Sequence, residues 1–286
     1  MKNEVYENKE ATEVFMIGTC LFVLDKDGTL TISPANGEKG IFEGMIFDFK
    51  NFDVTSVIVK PGVETGEDCA EMFRHLPRCK TMDLSFLDTH NAKTMELMFK
   101  GCKELEHLDL SSFDTSKVTD MSAMFMNCIK LKDLDISSFN TENVVSMKSM
   151  FVNCVDLEKI DVTGFDTKNV RDMSFMFNFC EKLEEIDVSS FDTSNVIDMD
   201  EMFSFCENLK YIDVSSFDTS NVRDLGCMFA GCKKLEHLDL SSFDTSNVTD
   251  MSYMFAYCDN LDPEDTKNFD TGNIEELEKW VEETFS

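Results

Sequence analysis

The feature that most constrains this 286-residue chain is a cysteine that recurs every 26 residues, with no insertion or deletion between the copies. The series consists of Cys102, Cys128, Cys154, Cys180, Cys206, Cys232 and Cys258. A Met-Phe pair keeps the same period from Met72/Phe73 to Met254/Phe255. A fixed period of this length indicates a repeat architecture, in which each unit buries its apolar face only against its neighbours. The sequence therefore predicts one elongated solenoid.

Each repeat divides into two patterns. Leu105, Leu108 and Leu110 form the L-x-x-L-x-L pattern of a leucine-rich repeat, which predicts a short parallel strand on the concave side. The following Asn-Val-x-x-Met-x-x-Met-Phe pattern, as at Asn143, predicts an N-cap and a short helix on the convex side. The predicted fold is thus an α/β solenoid, a right-handed coil of leucine-rich-repeat type.

A phenylalanine follows each predicted strand, and its period predicts a stacked aromatic spine. These residues are Phe113, Phe139, Phe165, Phe191, Phe217, Phe243 and Phe269.

Both ends of a solenoid need covers, because the last apolar layer and strand would otherwise be unpaired. At the front, residues 20–24 and 29–32 alternate around a Gly-containing turn and predict a β-hairpin. At the back, Ile274 and Trp280 share the apolar face of a segment that Asn273 can cap as a helix. The predicted organisation is a flexible N-terminus (1–13), an N-terminal cap with the hairpin (14–45), the leucine-rich-repeat solenoid (46–272) and a C-terminal capping helix (273–286).

The charge of the chain restricts its partners. Lys and Arg number 26 against 56 Asp and Glu, which gives a formal net charge of -30. Such a field repels nucleic-acid phosphates and anionic lipid, so we expect neither nucleic-acid binding nor membrane insertion. It favours a protein partner, for example one with a basic surface, and the chain is expected to be a monomer. The acidic N-terminal stretch argues against a signal peptide.

The residues also carry a family resemblance. Residues 108–121 and 238–251 closely resemble the units of the BspA-like leucine-rich-repeat surface proteins of bacteria, and residues 27–32 and 55–63 resemble that family's N-terminal cap. The resemblance covers about residues 17–281. It implies a non-enzymatic, surface-displayed or secreted module that binds host or neighbouring-cell proteins. The signal peptide and wall anchor of many members are not seen here, so the location stays open.

Two side-chain series could carry chemistry. The cysteines, at neighbouring-coil spacing, could form a disulfide or metal array, but they follow a Met-Phe pair and precede an apolar Leu, which favours buried structural thiols. There is no C-x-x-C pair and no His at zinc-ligand spacing, so no metal site and no cofactor are expected. An aspartate between the strand leucines also repeats, as at Asp109, and its like charges would repel across neighbouring strands. Hydrogen bonds from Ser or Thr two residues later or from backbone amides, raised pKa values, or cations such as Ca2+ could offset this repulsion.

A binding surface is expected where the repeat varies while its side chains stay exposed. The position two before each aspartate varies in this way, so it and the aspartate row together form the predicted concave binding face. The predicted partner-binding residues are His107, Asp109, Asp133, Asp135, Lys159, Asp161, Glu185, Asp187, Tyr211, Asp213, His237 and Asp239. A competing face is the convex row Ala123, Ser149, Phe175, Glu201, Cys227 and Tyr253.

The sequence thus predicts a protein-recognition or adhesion module of bacterial cell-surface type. No metalloprotease motif, nucleophile elbow, P-loop or dinucleotide fingerprint is present, and the uninterrupted register leaves no room for a catalytic insertion, so an enzyme is not expected. The alternatives are an intracellular structural or scaffold protein, and an ice- or cation-binding surface built on the regular Thr and Asp rows.

Overall fold

A computed structural model describes residues 11–44, 52–132 and 134–267 of the chain. Its strands are β1 (Ala11–Ile17), β2 (Cys20–Asp25), β3 (Thr29–Pro34), β4 (Gly40–Phe42), β5 (Ser56–Val59), β6 (Val63–Thr65), β7 (Thr81–Asp83) and β8 (Leu87–Asp88). The described part contains one helix, the four-residue α1 (Pro263–Thr266). None of the described helices is long and apolar enough to cross a membrane.

The front of the molecule is the antiparallel hairpin of β2 and β3, at the place where the alternating pattern predicts one. Asp25 Oδ1 accepts the N–H groups of Asp27 and Thr29, which closes the turn. Gly28 has φ +85°, and a Cβ there would lie 2.6 Å from the Asp53 carbonyl oxygen, so the turn requires glycine. β1 pairs with β2 from Ala11 onward, which places a strand start inside the segment predicted to be flexible.

Two sheets join the hairpin to the repeats. The first has the order β1-β2-β3-β5-β7 and the second has the order β4-β6-β8. β3 pairs with β5 in parallel, so the hairpin satisfies the backbone edge of the first repeat strand. From β5 onward each repeat stacks on the next as one coil.

The predicted concave strands are shorter than expected. β5 and β7 lie on that path, but farther along it the described residues form only the single parallel bridges Asp109↔Asp135 and Glu185↔Tyr211. The longest parallel ladder runs elsewhere, through one residue per coil. It joins Asp68, Thr94, Asp120, Ser146, Asp172, Asp198, Asp224 and Asp250 in order. The backbones of neighbouring coils therefore pair mainly at this one position, just before the Met-x-x-Met-Phe stretch of each coil.

The predicted convex helices are wrong. In one coil, Ala123 and Asn127 have φ of +53° and +62°, and equivalent residues in the other coils also have positive φ. The N–H of Ala123 donates to the Lys148 carbonyl of the next coil at 2.8 Å, whereas Met124 N–H returns to Met121 O at 3.3 Å. Alternate amides thus bond between coils and within a turn, so a continuous helical hydrogen-bond pattern cannot form. The fold is a β-type solenoid of turns and bridges. We call residues 121–128 and their equivalents the corner segments.

The asparagines predicted to be N-caps have another role. Asn143 Nδ2 donates to the Ser116 carbonyl of the preceding coil at 2.9 Å, and Asn169 Nδ2 does the same to Glu142 at 2.8 Å. Among the described residues no backbone N–H donates to these two carbonyls, so each asparagine side chain satisfies one of them and joins coils instead of starting a helix.

The corner segments supply the centre of the core. The phenylalanines of the Met-Phe pairs stack between coils, with ring centroids 5.4 Å apart for Phe151 and Phe177 and 5.6 Å apart for Phe177 and Phe203. The predicted spine was assigned to the wrong phenylalanine row. Phe113 and its neighbours are buried, but the described contact of Phe113 is a tilted one with Phe99 at 6.4 Å.

The threonine row is buried and therefore cannot present a lattice to ice. Thr141 is 1% exposed, its hydroxyl donates to Asp166 O at 3.0 Å, and the Asp166 N–H donates back to it at 2.8 Å. The hydroxyl thus joins two coils. The predicted C-terminal capping helix, at 273–286, lies outside the described residues.

Candidate functional site

The predicted binding residues form a surface of two neighbouring rows. The acid strip consists of Asp109, Asp135, Asp161, Asp187, Asp213 and Asp239. The variable row consists of His107, Lys159, Glu185, Tyr211 and His237; Asp133 belongs to it by sequence and lies outside the described residues. All described members of both rows are exposed. They alternate with buried apolar residues such as Ile160 and Ile186, so the two rows face the same side.

Hydrogen bonds keep the acid strip ionised. Asp187 Oδ1 accepts the backbone N–H of Ser189 at 3.0 Å and its hydroxyl at 2.6 Å. The hydroxyl and the amide lower the pKa of Asp187, because both bonds favour the charged carboxylate. Thr163 does the same for Asp161. Hydrogen bonding is therefore the observed means of offsetting the repulsion between these aspartates. Their pKa values are lowered and not raised.

One oxygen of each carboxylate in the middle of the acid strip accepts the hydrogen bonds, and the other does not. Both hydrogen bonds to Asp161 and to Asp187, and likewise to Asp213, end on Oδ1. Within the described part of the chain no hydrogen bond reaches Oδ2 of these three residues, so these oxygens remain able to accept from a partner.

Part of the surface forms an open depression of about 670 Å³. It is lined by Lys159, Ile160, Asp161, Thr163, Glu185, Ile186, Asp187, Ser189, Tyr211 and Asp213. The Tyr211 side chain is 62% exposed, whereas Ile160 and Ile186 are 8% and 6% exposed. The depression therefore combines an apolar floor, a prominent aromatic ring and carboxylates on one side. We call it the Tyr211 depression.

The outer members of the two rows do not line this depression. His237 Nδ1 lies 3.5 Å from Asp265 Oδ2, in a contact with the last described coil. His107 and Asp109 lie at the opposite end of the rows. Of the predicted binding residues, Lys159, Glu185 and Tyr211 line the depression together with the adjoining aspartates.

A second acidic group lies away from the acid strip, at the turn that carries Asp198 and Asp224. Sequence reasoning named Glu201 only as a member of the convex row and missed its grouping with Asp200. Burial, followed by the charges of Glu201, Asp224, Asp198 and Asp250, raises the pKa of Asp200 to about 7. Glu201 is 7% exposed, and burial raises its pKa to about 7 even though Asn178 Nδ2 donates to it at 2.7 Å. The sequence did contain a signal for this group, because an aspartate, Asp200, stands where two other coils have a serine. Those serines are Ser122 and Ser174.

The periodic cysteines are free thiols in the described structure. Cys154 Sγ donates to the Phe125 carbonyl of the preceding coil at 3.2 Å, and burial raises the pKa of this thiol to about 12. The Cys154 thiol thus packs as a small buried side chain and joins two coils, which is a structural role.

Comparison with protein families assigns the repeats. The model for "Mycoplasma protein of unknown function, DUF285" matches residues 67–186 and 176–286. The chain belongs to the DUF285 family. Its matched region contains the Tyr211 depression and the acid strip. Among curated proteins, none matches the chain.

Three solved bacterial structures are similar to this member of the family. A leucine-rich-repeat protein of T. pallidum has 14% identity and a TM-score of 0.38, over 67% of this chain and 88% of the other. One from Eubacterium ventriosum has 15% identity and a TM-score of 0.33, over 85% and 81%. A leucine-rich cell surface protein from Faecalibacterium prausnitzii has 17% identity and a TM-score of 0.24, over 89% and 94%. Likeness this distant carries no conclusion about function or ligand.

Proposed function

We propose that this chain is a protein-interaction repeat module whose binding site is the Tyr211 depression and the adjoining acid strip. The preferred partner is a protein segment with basic side chains and an apolar group. The proposal depends chiefly on one observation: Tyr211, at 62% exposure, stands over a nearly buried isoleucine floor and beside ionised aspartates.

Physical chemistry supports this pairing. Aromatic residues such as tyrosine are common at binding hot spots, because they bury a large area while retaining a polar group. The unoccupied Oδ2 atoms of Asp161, Asp187 and Asp213 can accept charge-assisted hydrogen bonds from Lys or Arg. Lys159 lies at the edge of the depression and would repel a wholly cationic segment, which favours a partner of mixed character.

The test begins with a displayed random-peptide library selected on the purified chain. We expect the enriched peptides to carry Lys or Arg together with an apolar residue. Fluorescence anisotropy with one labelled peptide then compares the parent chain with Tyr211→Ala, which should bind at least about tenfold more weakly, a loss of about 1.4 kcal/mol.

Phe86→Ala is the matched control, because Phe86 is an aromatic residue 53% exposed outside the depression. It should leave both affinity and melting temperature unchanged. Enrichment of acidic or uncharged peptides would contradict the proposal. So would equal losses of affinity in the two variants, or a Tyr211→Ala loss that merely follows a loss of stability.

Adhesion at a bacterial surface is the finer form of the proposal, and an intracellular scaffold is its alternative. Both use the same binding face, so peptide binding does not distinguish them. Protease shaving of intact cells does: an adhesin is cleaved from the surface, whereas full-length protein found only in the cytosol would exclude adhesion.

A further inference from the structure

A cluster of ligating side chains lies on the second sheet, at the opposite end of the repeats from the last described coil. β6 and β8 pair in parallel with Glu64 opposite Asp88. Directly opposed residues on neighbouring strands project to the same face, so the two carboxylates are neighbours. His90 follows Asp88 by two positions and completes the group. One ligand atom from each of these three residues lies within 4.8 Å of the other two.

The histidine is held in place by its neighbour. Asp88 Oδ1 accepts the His90 backbone N–H at 3.0 Å and also lies 2.8 Å from the ring Nδ1. In the next two coils the position of His90 is held by Ser116 and Glu142, so the imidazole is specific to this coil. The turn and the contact with Asp88 thus orient the ring.

We propose that Glu64, Asp88 and His90 bind a divalent first-row transition ion such as Zn2+. Zn2+ sites are tetrahedral, which places two donors about 2.1 Å from the ion roughly 3.4 Å apart, so Asp88 Oδ1 and His90 Nδ1, now 2.8 Å apart, need to separate by only about 0.6 Å. Binding requires only that the neutral imidazole carry its proton on Nε2 instead of Nδ1. Solvent would complete the coordination, since the side chains of Asp88 and His90 are 49% and 44% exposed.

One of the three proposed ligands, Glu64, already pairs with the ammonium group of Lys39. Lys39 Nζ lies 2.7 Å from Glu64 Oε1, and the Glu64 side chain is only 16% exposed. The Lys39 side chain is 58% exposed, so it can move into solvent when another cation arrives. The pair is exposed only on its Lys39 side, and the Lys39 ammonium would compete with the metal for Glu64.

The ligand set selects the type of ion. Imidazole nitrogen favours Zn2+ and its neighbours in the transition series over Ca2+ or Mg2+, which prefer oxygen ligands alone. Periodic thiols such as those of Cys154 and Cys206 are fully buried in the core, away from an ion that binds at this surface. This inference is independent of the Tyr211 depression, whose residues it does not use.

The test is calorimetric titration of the full chain with Zn2+ in millimolar Mg2+, which occupies the many weak carboxylate sites. We expect one site in the parent chain and an affinity at least about tenfold lower in His90→Ala. Lys39→Met should instead bind more tightly, because the competing ammonium is gone. A purely structural role for His90 would not explain weaker Zn2+ binding in His90→Ala together with tighter binding in Lys39→Met.

His237→Ala is the matched control, because His237 also neighbours an aspartate, Asp265, but has no third ligand within reach among the described residues. It should leave the affinity unchanged. The proposal is overturned if His90→Ala binds Zn2+ as well as the parent does. It is also overturned if Lys39→Met fails to tighten binding. Because Lys39→Met removes no ligand, this variant still tests the site if His90→Ala does not fold.

Discussion

At the scale of single residues, identical carboxylates behave differently in this chain according to their neighbours. Asp187 accepts two hydrogen bonds in an exposed turn, and its pKa is lowered. Asp200 is partly buried among other acids, and its pKa is raised to about 7. Hydrogen bonding explains the first case, whereas loss of solvent and like charge explain the second. The acid strip is therefore a stable anionic surface, and the Asp200 group is a source of strain.

This contrast predicts a pH dependence. Folding raises the pKa values of Asp200 and Glu201, so both carboxyls are more easily deprotonated in the unfolded chain. Their unfavourable contribution is absent below the unfolded pKa values and develops as pH rises to about 7. Asp200→Asn combined with Glu201→Gln should therefore raise the melting temperature by a few degrees at about pH 8 and leave it nearly unchanged at about pH 4.

Asp187→Asn is the control for this experiment. Because its carboxyl has a lowered pKa, its favourable contribution is present near neutral pH and is lost as pH falls. A scan by circular dichroism should show no gain for Asp187→Asn at about pH 8. A gain equal to that of the Asp200 and Glu201 variant would mean that net charge, and not the local cluster, determines the effect.

At the scale of elements, the corner segment is a turn structure that uses residues with poor left-handed propensity. Ser149, Phe175 and Glu201 all have positive φ in equivalent positions. Such backbone costs about 1 kcal/mol or more for a residue with a Cβ. The stacking of the Met-Phe phenylalanines and the hydrogen bonds between coils stabilise it, because they form only when each corner adopts this conformation.

The corner conformation predicts that Ser149→Gly stabilises the protein by about 0.5–1 kcal/mol, since glycine adopts φ of +59° without steric cost. A helix at this position would give a loss of about the same size. Chemical unfolding of the two proteins distinguishes the cases. Lys148→Gly, at the preceding residue, is the control and should destabilise, because its φ is not positive and glycine adds entropy to the unfolded chain. Stabilisation by both changes would contradict the role of the positive φ at residue 149.

Much of this fold was predictable and part of it was not, for definable reasons. The period, the hairpin around Gly28 and the exposed rows follow from spacing and alternation, which sequence displays directly. The helix prediction failed because the same apolar spacing suits both an amphipathic helix and a corner segment. The residues with this spacing are Val144, Met147, Met150 and Phe151. What decides between them is hydrogen bonding to the next coil, which no single repeat contains.

The same limit applies to the sites. Exposure of Tyr211 was predicted from its variable position, but the isoleucine floor beneath it depends on how adjacent coils pack. Glu64 was not associated with His90, because their proximity comes from pairing between β6 and β8 and not from a spacing motif.

At the scale of the whole molecule, ion pairs between coils offset part of the negative charge. Several lysines pair with an acid 26 residues earlier, at N–O distances of 2.6 to 2.8 Å. These pairs are Lys130–Glu104, Lys132–Glu106, Lys182–Asp156, Lys210–Glu184 and Lys233–Glu207. They are exposed, and each contributes little. A formal net charge of -30 therefore leaves repulsion between coils as the larger electrostatic effect.

Salt should consequently stabilise this protein. Raising NaCl from low to near-molar concentration screens the repulsion over distances longer than a few ångströms. We expect the melting temperature to rise, as measured by calorimetry at constant pH. A fall would show that the Lys–acid pairs outweigh the repulsion. Lys132→Gln and Lys210→Gln, which each remove one such pair, should steepen the rise.

The hydrogen-bond donors that join successive coils have a consequence for how such a chain can change over generations. Thr141 and Asn169 contact partners 25 and 27 residues away, and their equivalents make the same contacts in other coils. Excising or duplicating one 26-residue unit therefore rejoins surfaces of the same kind. Recombination within the gene can therefore alter the number and order of coils while the core contacts between coils are kept. Each such event changes the order of the exposed side chains along the variable row.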